Sequence, residues 1–127
     1  MKVETGLHLT NLSFPGIAES KRFDHAVAVA VAAEAAGFDT FWVNDHLIEG
    51  QPPDQGGLRT EAYVFLATVA ARTSSIRIGA LASSIFLRHP ALLARLGATL
   101  DHAPGGRALR GGAGEHWRTA GARTQSA

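Results

Sequence analysis

"FDTFWVNDH", residues 38–46, decides the fold. Phe38, Phe41, Trp42 and Val43 make a short run dense in aromatic and β-branched side chains, the pattern of a buried strand. The run stops at Asn44-Asp45-His46, which sets an amide, a carboxylate and an imidazole together at its C-terminal end. Just upstream, "AVAVAVAAEAAG" (26–37) alternates as a strand does. It nevertheless extends an Ala-rich stretch that begins near Glu19, exceeds a typical strand and closes on Gly37, where a helix C-cap glycine belongs. The stretch is therefore predicted as a helix, with Phe23, Val27, Ala30 and Val31 on one face.

The same alternation continues on both sides. Leu7 and Leu9 in "VETGLHLTNL" (3–12) fit a first strand. After the breakers of "QPPDQGG" (51–57), Thr60 is placed to cap a helix in which Ala62, Phe65, Leu66 and Val69 recur at helical spacing. "SIRIGALASS" (75–84) reads as a third strand. Pro90 then suits the first position of a third helix, whose apolar face is Leu92, Leu93, Leu96 and Leu100 and which Gly97 weakens slightly. "APGGR" (103–107) is a turn, and "RALRGGAGE" (107–115) would be a fourth strand with its loop. Strand and helix in alternation make parallel βαβ units, which leaves a doubly wound open sheet or a (βα)8 barrel. Both gather ligands at the C-terminal strand ends, where Asn44, Asp45 and His46 stand.

Composition bounds the alternatives. The chain has 127 residues, 46% hydrophobic and 18% charged, enough for one domain with a buried core. Cysteine is absent, which excludes disulfides, thiolate zinc sites and a cysteine nucleophile, and fits a reducing cytoplasm. A net charge of +1 gives no reason to expect nucleic acid or a membrane surface. The start, "MKVETGLHL", lacks an apolar signal region, and "AVAVAVAA" is too short to span a bilayer. His25, His102 and His116 lack metal-ligand spacing, so no metal is expected. His8, on the first strand, reads as structural.

Taken together, "TGLHLTN", "AAEAAGFDTFWVNDHL", "EAYVFLATVAARTSSIRIGALASSIFLRHPALLARLGATLD" and "GGR" resemble the first half of the bacterial-luciferase-like monooxygenase superfamily, and within it the branch that uses the deazaflavin coenzyme F420. The resemblance runs from about Gly6 to Arg107. It implies an α/β fold, the N-terminal half of a (βα)8 TIM barrel with about four parallel strands. It also implies hydride transfer between F420 and an organic small molecule. FMN with molecular oxygen, giving a monooxygenase, is the alternative within the fold.

By the same resemblance, Asp45 and His46 match an Asp-His pair beside the flavin-like ring, where they would orient the ring and handle the coupled proton. Leu81-Ala82 match a bulge that often carries a non-proline cis peptide beneath the ring. Arg88, His89 and Pro90 match a pattern preceding the third helix, in which His89 and Pro90 are expected simply to start it. Gly112, Ala113 and Gly114 match a loop whose backbone N–H groups face the cofactor phosphate. Glu115 falls where the sugar-phosphate dehydrogenase branch carries an acid. That branch also has a tryptophan after the Asp-His pair, whereas this chain has "LIEG" (47–50), which argues against a sugar phosphate.

The pattern breaks in the fourth unit. Arg110 stands where a doubly buried strand needs an apolar residue, and "HWRTAGARTQSA" (116–127) has no apolar periodicity. The expected organisation is therefore a partial barrel over residues 1–114 and a divergent, disordered tail over 115–127. A complete (βα)8 barrel needs roughly 250 residues. The expected consequences are a fragment of an oxidoreductase, exposed sheet edges that invite homo-oligomerisation, and, as a contrasting reading, a non-catalytic remnant or interaction module.

Overall fold

The computed structural model describes residues 3–46 and 60–102. Among the described residues three strands and three helices alternate: β1 (Gly6–Leu9), α1 (Glu19–Ala35), β2 (Thr40–Val43), α2 (Ala62–Arg72), β3 (Arg77–Ala80) and α3 (Pro90–Asp101). The strands form one parallel sheet in the order β1-β2-β3, with Leu7 opposite Phe41 and Phe41 opposite Ile78. The fourth strand, Gly112 to Gly114, Glu115 and the 115–127 tail lie outside the described residues, as do "LIEG" and "QPPDQGG".

The segment that alternates like a strand is α1, as its length and Gly37 indicate. Gly37 adopts φ +86°. Its N–H donates to the Glu34 carbonyl at 3.0 Å, and the Phe38 N–H donates to the Ala33 carbonyl at 3.0 Å. These two bonds make the Schellman closure that a left-handed C′ residue permits. The buried face of α1 is Ala26, Val27, Ala30 and Ala33, with Phe23 packed at its edge, whereas Val31 is exposed. The predicted face is thus displaced slightly around the axis. Small alanines line the buried face of α1, and Val31 falls outside it.

Strand alternation sorts the sheet into two sides. Phe41, Val43, Ile78 and Ala80 are buried in one core with Phe65, Leu66 and Val69 of α2 and Leu93 and Leu100 of α3. Phe41, Phe65 and Leu66 are among its largest fully buried side chains. Phe23 and Phe65 join α1 to α2 edge to face, with ring centroids 5.4 Å apart. The other side presents His8, Thr40, Trp42 and Arg77, none fully buried.

The helix starts differ in detail from expectation. Glu61, not Thr60, caps α2: its carboxylate accepts from the Val64 N–H at 2.7 Å. A carboxylate at that position also complements the helix dipole, which a threonine hydroxyl does less well. His89 caps α3 through Nδ1, which accepts from the Ala91 N–H at 3.2 Å, and Pro90 occupies the first turn as expected. Leu92 is half exposed, so the packed stripe of α3 is Leu93, Leu96, Gly97 and Leu100. No helix among the described residues is long and apolar enough to cross a membrane.

Candidate active site

The stretch that closes β2 projects its functional groups to opposite sides. Asp45 continues the alternation of Phe41 and Val43 and is buried, whereas His46 is exposed. The sequence places these two residues together, and the fold gives them different surroundings.

Asp45 is held by three donors. The Arg88 guanidinium reaches both carboxylate oxygens, Nη1 to Oδ2 at 2.6 Å and Nη2 to Oδ1 at 2.9 Å, and the Ser84 N–H donates to Oδ2 at 3.0 Å. Arg88 also donates to the Glu61 carboxylate at the start of α2, and its guanidinium carbon sits 4.8 Å from the centroid of the Tyr63 ring. Both ion-paired side chains are nearly closed to water, Asp45 at 3% and Arg88 at 10% relative exposure. Removing one partner of such a pair leaves a buried charge uncompensated, at a cost of about 3 to 5 kcal/mol. The Tyr63 hydroxyl bonds to the Ser83 hydroxyl. Burial pushes the Tyr63 phenol up, the Ser83 bond opposes this and the Asp45 charge adds to it, so the phenol keeps its proton at neutral pH.

The opposite side carries a second chain of hydrogen bonds. Asn44 Nδ2 donates to the Thr10 carbonyl at 2.5 Å. A carbonyl only accepts, so the amide orientation is fixed, and Asn44 Oδ1 faces His8 Nε2 at 2.9 Å. His8 therefore carries its proton on Nε2. A histidine read from sequence as structural is thus bonded to the residue that follows β2.

The peptide bond between Leu81 and Ala82 is cis, at the bond the resemblance singles out. It directly follows β3, and the Leu81 N–H donates to the Val43 carbonyl at 2.8 Å, which joins this turn to the end of β2. Leu81, Ile85 and Phe86 are exposed on the same segment, Phe86 at 93%. His25 lies elsewhere, edge to face with Phe14 at 4.6 Å. Among the described residues no cluster of three His, Asp or Glu side chains gathers to hold a metal ion.

Arg88 is the residue that sequence reading undervalued. It lies 43 positions from Asp45, and nothing local marks the contact. The available signal was a single arginine just before a helix-starting proline, in the segment that returns from the strand edge.

Residues 3–121 match the family described as luciferase-like monooxygenase. An F420-dependent glucose-6-phosphate dehydrogenase of Amycolatopsis mediterranei (strain U-32) is 35% identical over 91 residues, 70% of this chain and 27% of the relative. An F420-dependent hydroxymycolic acid dehydrogenase of Mycobacterium tuberculosis (strain ATCC 25618 / H37Rv) is 40% identical over 99 residues, 76% of this chain and 27% of the relative. The chain thus spans about a quarter of the length of these curated relatives. Among solved structures, the oxygenating constituent of 3,6-diketocamphane monooxygenase from Pseudomonas putida, in complex with FMN, superposes with a TM-score of 0.65 at 26% identity, covering 86% of this chain and 29% of that one. The neighbours are TIM-barrel enzymes, so the three βα units described above are part of such a barrel. The chain belongs to the luciferase-like monooxygenase family.

Proposed function

We propose that this chain binds coenzyme F420 at the C-terminal rim of its sheet, as part of an oxidoreductase that passes hydride between the deazaflavin and an organic small molecule. The observation that carries this reading is the exposed imidazole of His46 at the end of β2, one residue from the buried, ion-paired Asp45 and beside the turn that β3 delivers. The F420-dependent relatives favour the deazaflavin.

The rim fits a planar heterocycle, polar at its edge and apolar on its face. Exposed Leu81 supplies apolar surface, and His46 supplies a ring nitrogen for the polar edge. When bound, the deazaflavin supplies the hydride chemistry. His46 would hold or pass the proton that accompanies hydride transfer, because an imidazole ring nitrogen can accept or donate one. Leu81 and Ala82 would support the ring, and Asp45 would fix the direction from which His46 leaves the strand. Gly112, Ala113 and Gly114 are proposed, on their sequence resemblance alone, to offer backbone N–H groups to the phosphate.

FMN is the second reading, favoured by the FMN-bound structural neighbour. A further part of the proposal concerns assembly. β1 and β3 flank the described sheet, and pairing at such an edge would associate copies of the chain. Light scattering of the purified chain tests this, and a monodisperse monomer would count against it.

The cofactor test is a titration of the full chain with F420 and with FMN, each followed by the cofactor's own fluorescence. Saturable binding of F420, at least about tenfold tighter than FMN (roughly 1.4 kcal/mol), is expected. Binding of FMN alone would overturn the preference for the deazaflavin.

A further inference from the structure

Arg88 touches three parts of the rim at once. Its guanidinium holds both oxygens of Asp45 at the end of β2, and it pairs with Glu61, the cap of α2. The same Asp45 carboxylate receives the Ser84 N–H, two residues beyond the Leu81-Ala82 turn. Its cationic plane also lies over Tyr63, whose hydroxyl is bonded to Ser83. The planar fork matters here. Arginine can serve two carboxylates with separate N–H groups in fixed directions, whereas an ammonium is a point charge on a flexible stem.

We infer that Arg88 is a positioning residue for the cofactor-facing rim. It clamps Asp45, and through Asp45 the Ser84 amide, so that His46 and the turn after β3 keep a fixed relation to each other. The functional half of this inference rests on the reading given under Proposed function, but the clamp itself does not. Arg88 does not need to touch cofactor or substrate. Its effect reaches them through Asp45, which is buried beneath the rim while His46 stands in the open.

The test combines amide hydrogen exchange and F420 titration on the full chain, in wild type, Arg88→Met and Arg88→Lys. In Arg88→Met the Ser84 amide should exchange at least about tenfold faster, while Ala30 in the buried face of α1 changes by less than about threefold. F420 affinity should fall by at least about tenfold. Arg88→Lys should recover part of both, because the charge is kept and the fork is lost. A simple loss of stability would instead raise exchange across α1 and the rim alike, and that uniform rise would overturn the inference. Unchanged Ser84 exchange would also overturn it, as would unchanged F420 affinity in a variant that has lost Ser84 protection. If Arg88→Met does not fold, the Asp45→Asn/Arg88→Met double variant removes the unpaired buried charge and is read in the same way. If the wild-type chain binds neither F420 nor FMN, the cofactor reading falls, and the exchange contrast alone decides whether Arg88 fixes the rim.

Discussion

Glu34 and Ser75 lock the C-terminal end of α1 to the connection between α2 and β3. One carboxylate oxygen, Oε1, accepts from the Ser74, Ser75 and Ile76 N–H groups and from the Ser75 hydroxyl. Burial by itself pushes the Glu34 carboxyl up, but the four donors outweigh it, and the net result lies at about 2 against an ordinary 4.5. The sign follows. A depressed folded-state value stabilises the protein above the unfolded value and is lost as pH falls from 4.5 towards 2. Thermal unfolding as a function of pH should show wild type losing stability through that window. Glu34→Gln should be less stable than wild type at pH 7 and show a flatter slope between pH 4.5 and 2. Identical slopes would show that other carboxylates dominate acid unfolding.

Phe41 and His46 give a contrast between a buried packing residue and an exposed one with a proposed chemical role. Phe41 is fully buried, so Phe41→Ala should destabilise by about 3 to 5 kcal/mol in denaturant unfolding. His46 is exposed, and His46→Ala should change stability by less than about 0.5 kcal/mol. The same His46 variant should weaken F420 binding. A stability loss at His46 comparable with that at Phe41 would place it in the packing instead.

Gly6 tests the open side of the sheet. A Cβ there would run into Thr40 Oγ1 and approach Trp42 Nε1 to 3.1 Å. Those two atoms bond to each other at 2.9 Å. Gly6→Ala should therefore cost about 1 to 3 kcal/mol, as overpacking does, and shift Trp42 fluorescence. Wild-type stability together with an unchanged emission maximum would show that the pair yields without cost.

Much of this architecture was legible from short patterns. Gly37 and the length of the Ala-rich stretch outweighed its alternation, and Pro90 marked the start of α3 because its missing N–H is tolerated there. The boundaries of faces were less legible. Val31 and Leu92 are apolar at helical spacing, yet both lie partly open, because the width of the packed stripe depends on how closely the helices approach. Asp45 and His46 stand just past the end of β2, as their place after the apolar run indicated, but their division into a buried and an exposed member needed the strand's alternation carried past Val43. Arg88 was missed as the shared partner of Asp45 and Glu61. Such contacts join distant segments, and only the folded return of the chain after β3 brings them together.

His8 is predicted to be the Nε2–H tautomer at neutral pH, because the Thr10 carbonyl orients Asn44 and Asn44 then requires a donor from the ring. Long-range proton–nitrogen correlation spectra of the imidazole read the tautomer directly. Asn44→Ala should release it to a mixture, and a wild-type His8 protonated on Nδ1 would reverse the assigned hydrogen-bond chain.

The most direct test of the cofactor-facing rim is the same imidazole spectrum recorded as F420 is added to the wild-type chain. His46 resonances are expected to shift or broaden in step with binding, while those of His102, the residue that closes the C-terminal end of α3, stay in place. Saturable F420 binding that moves His102 and leaves His46 unchanged would contradict the assignment of this rim as the cofactor site.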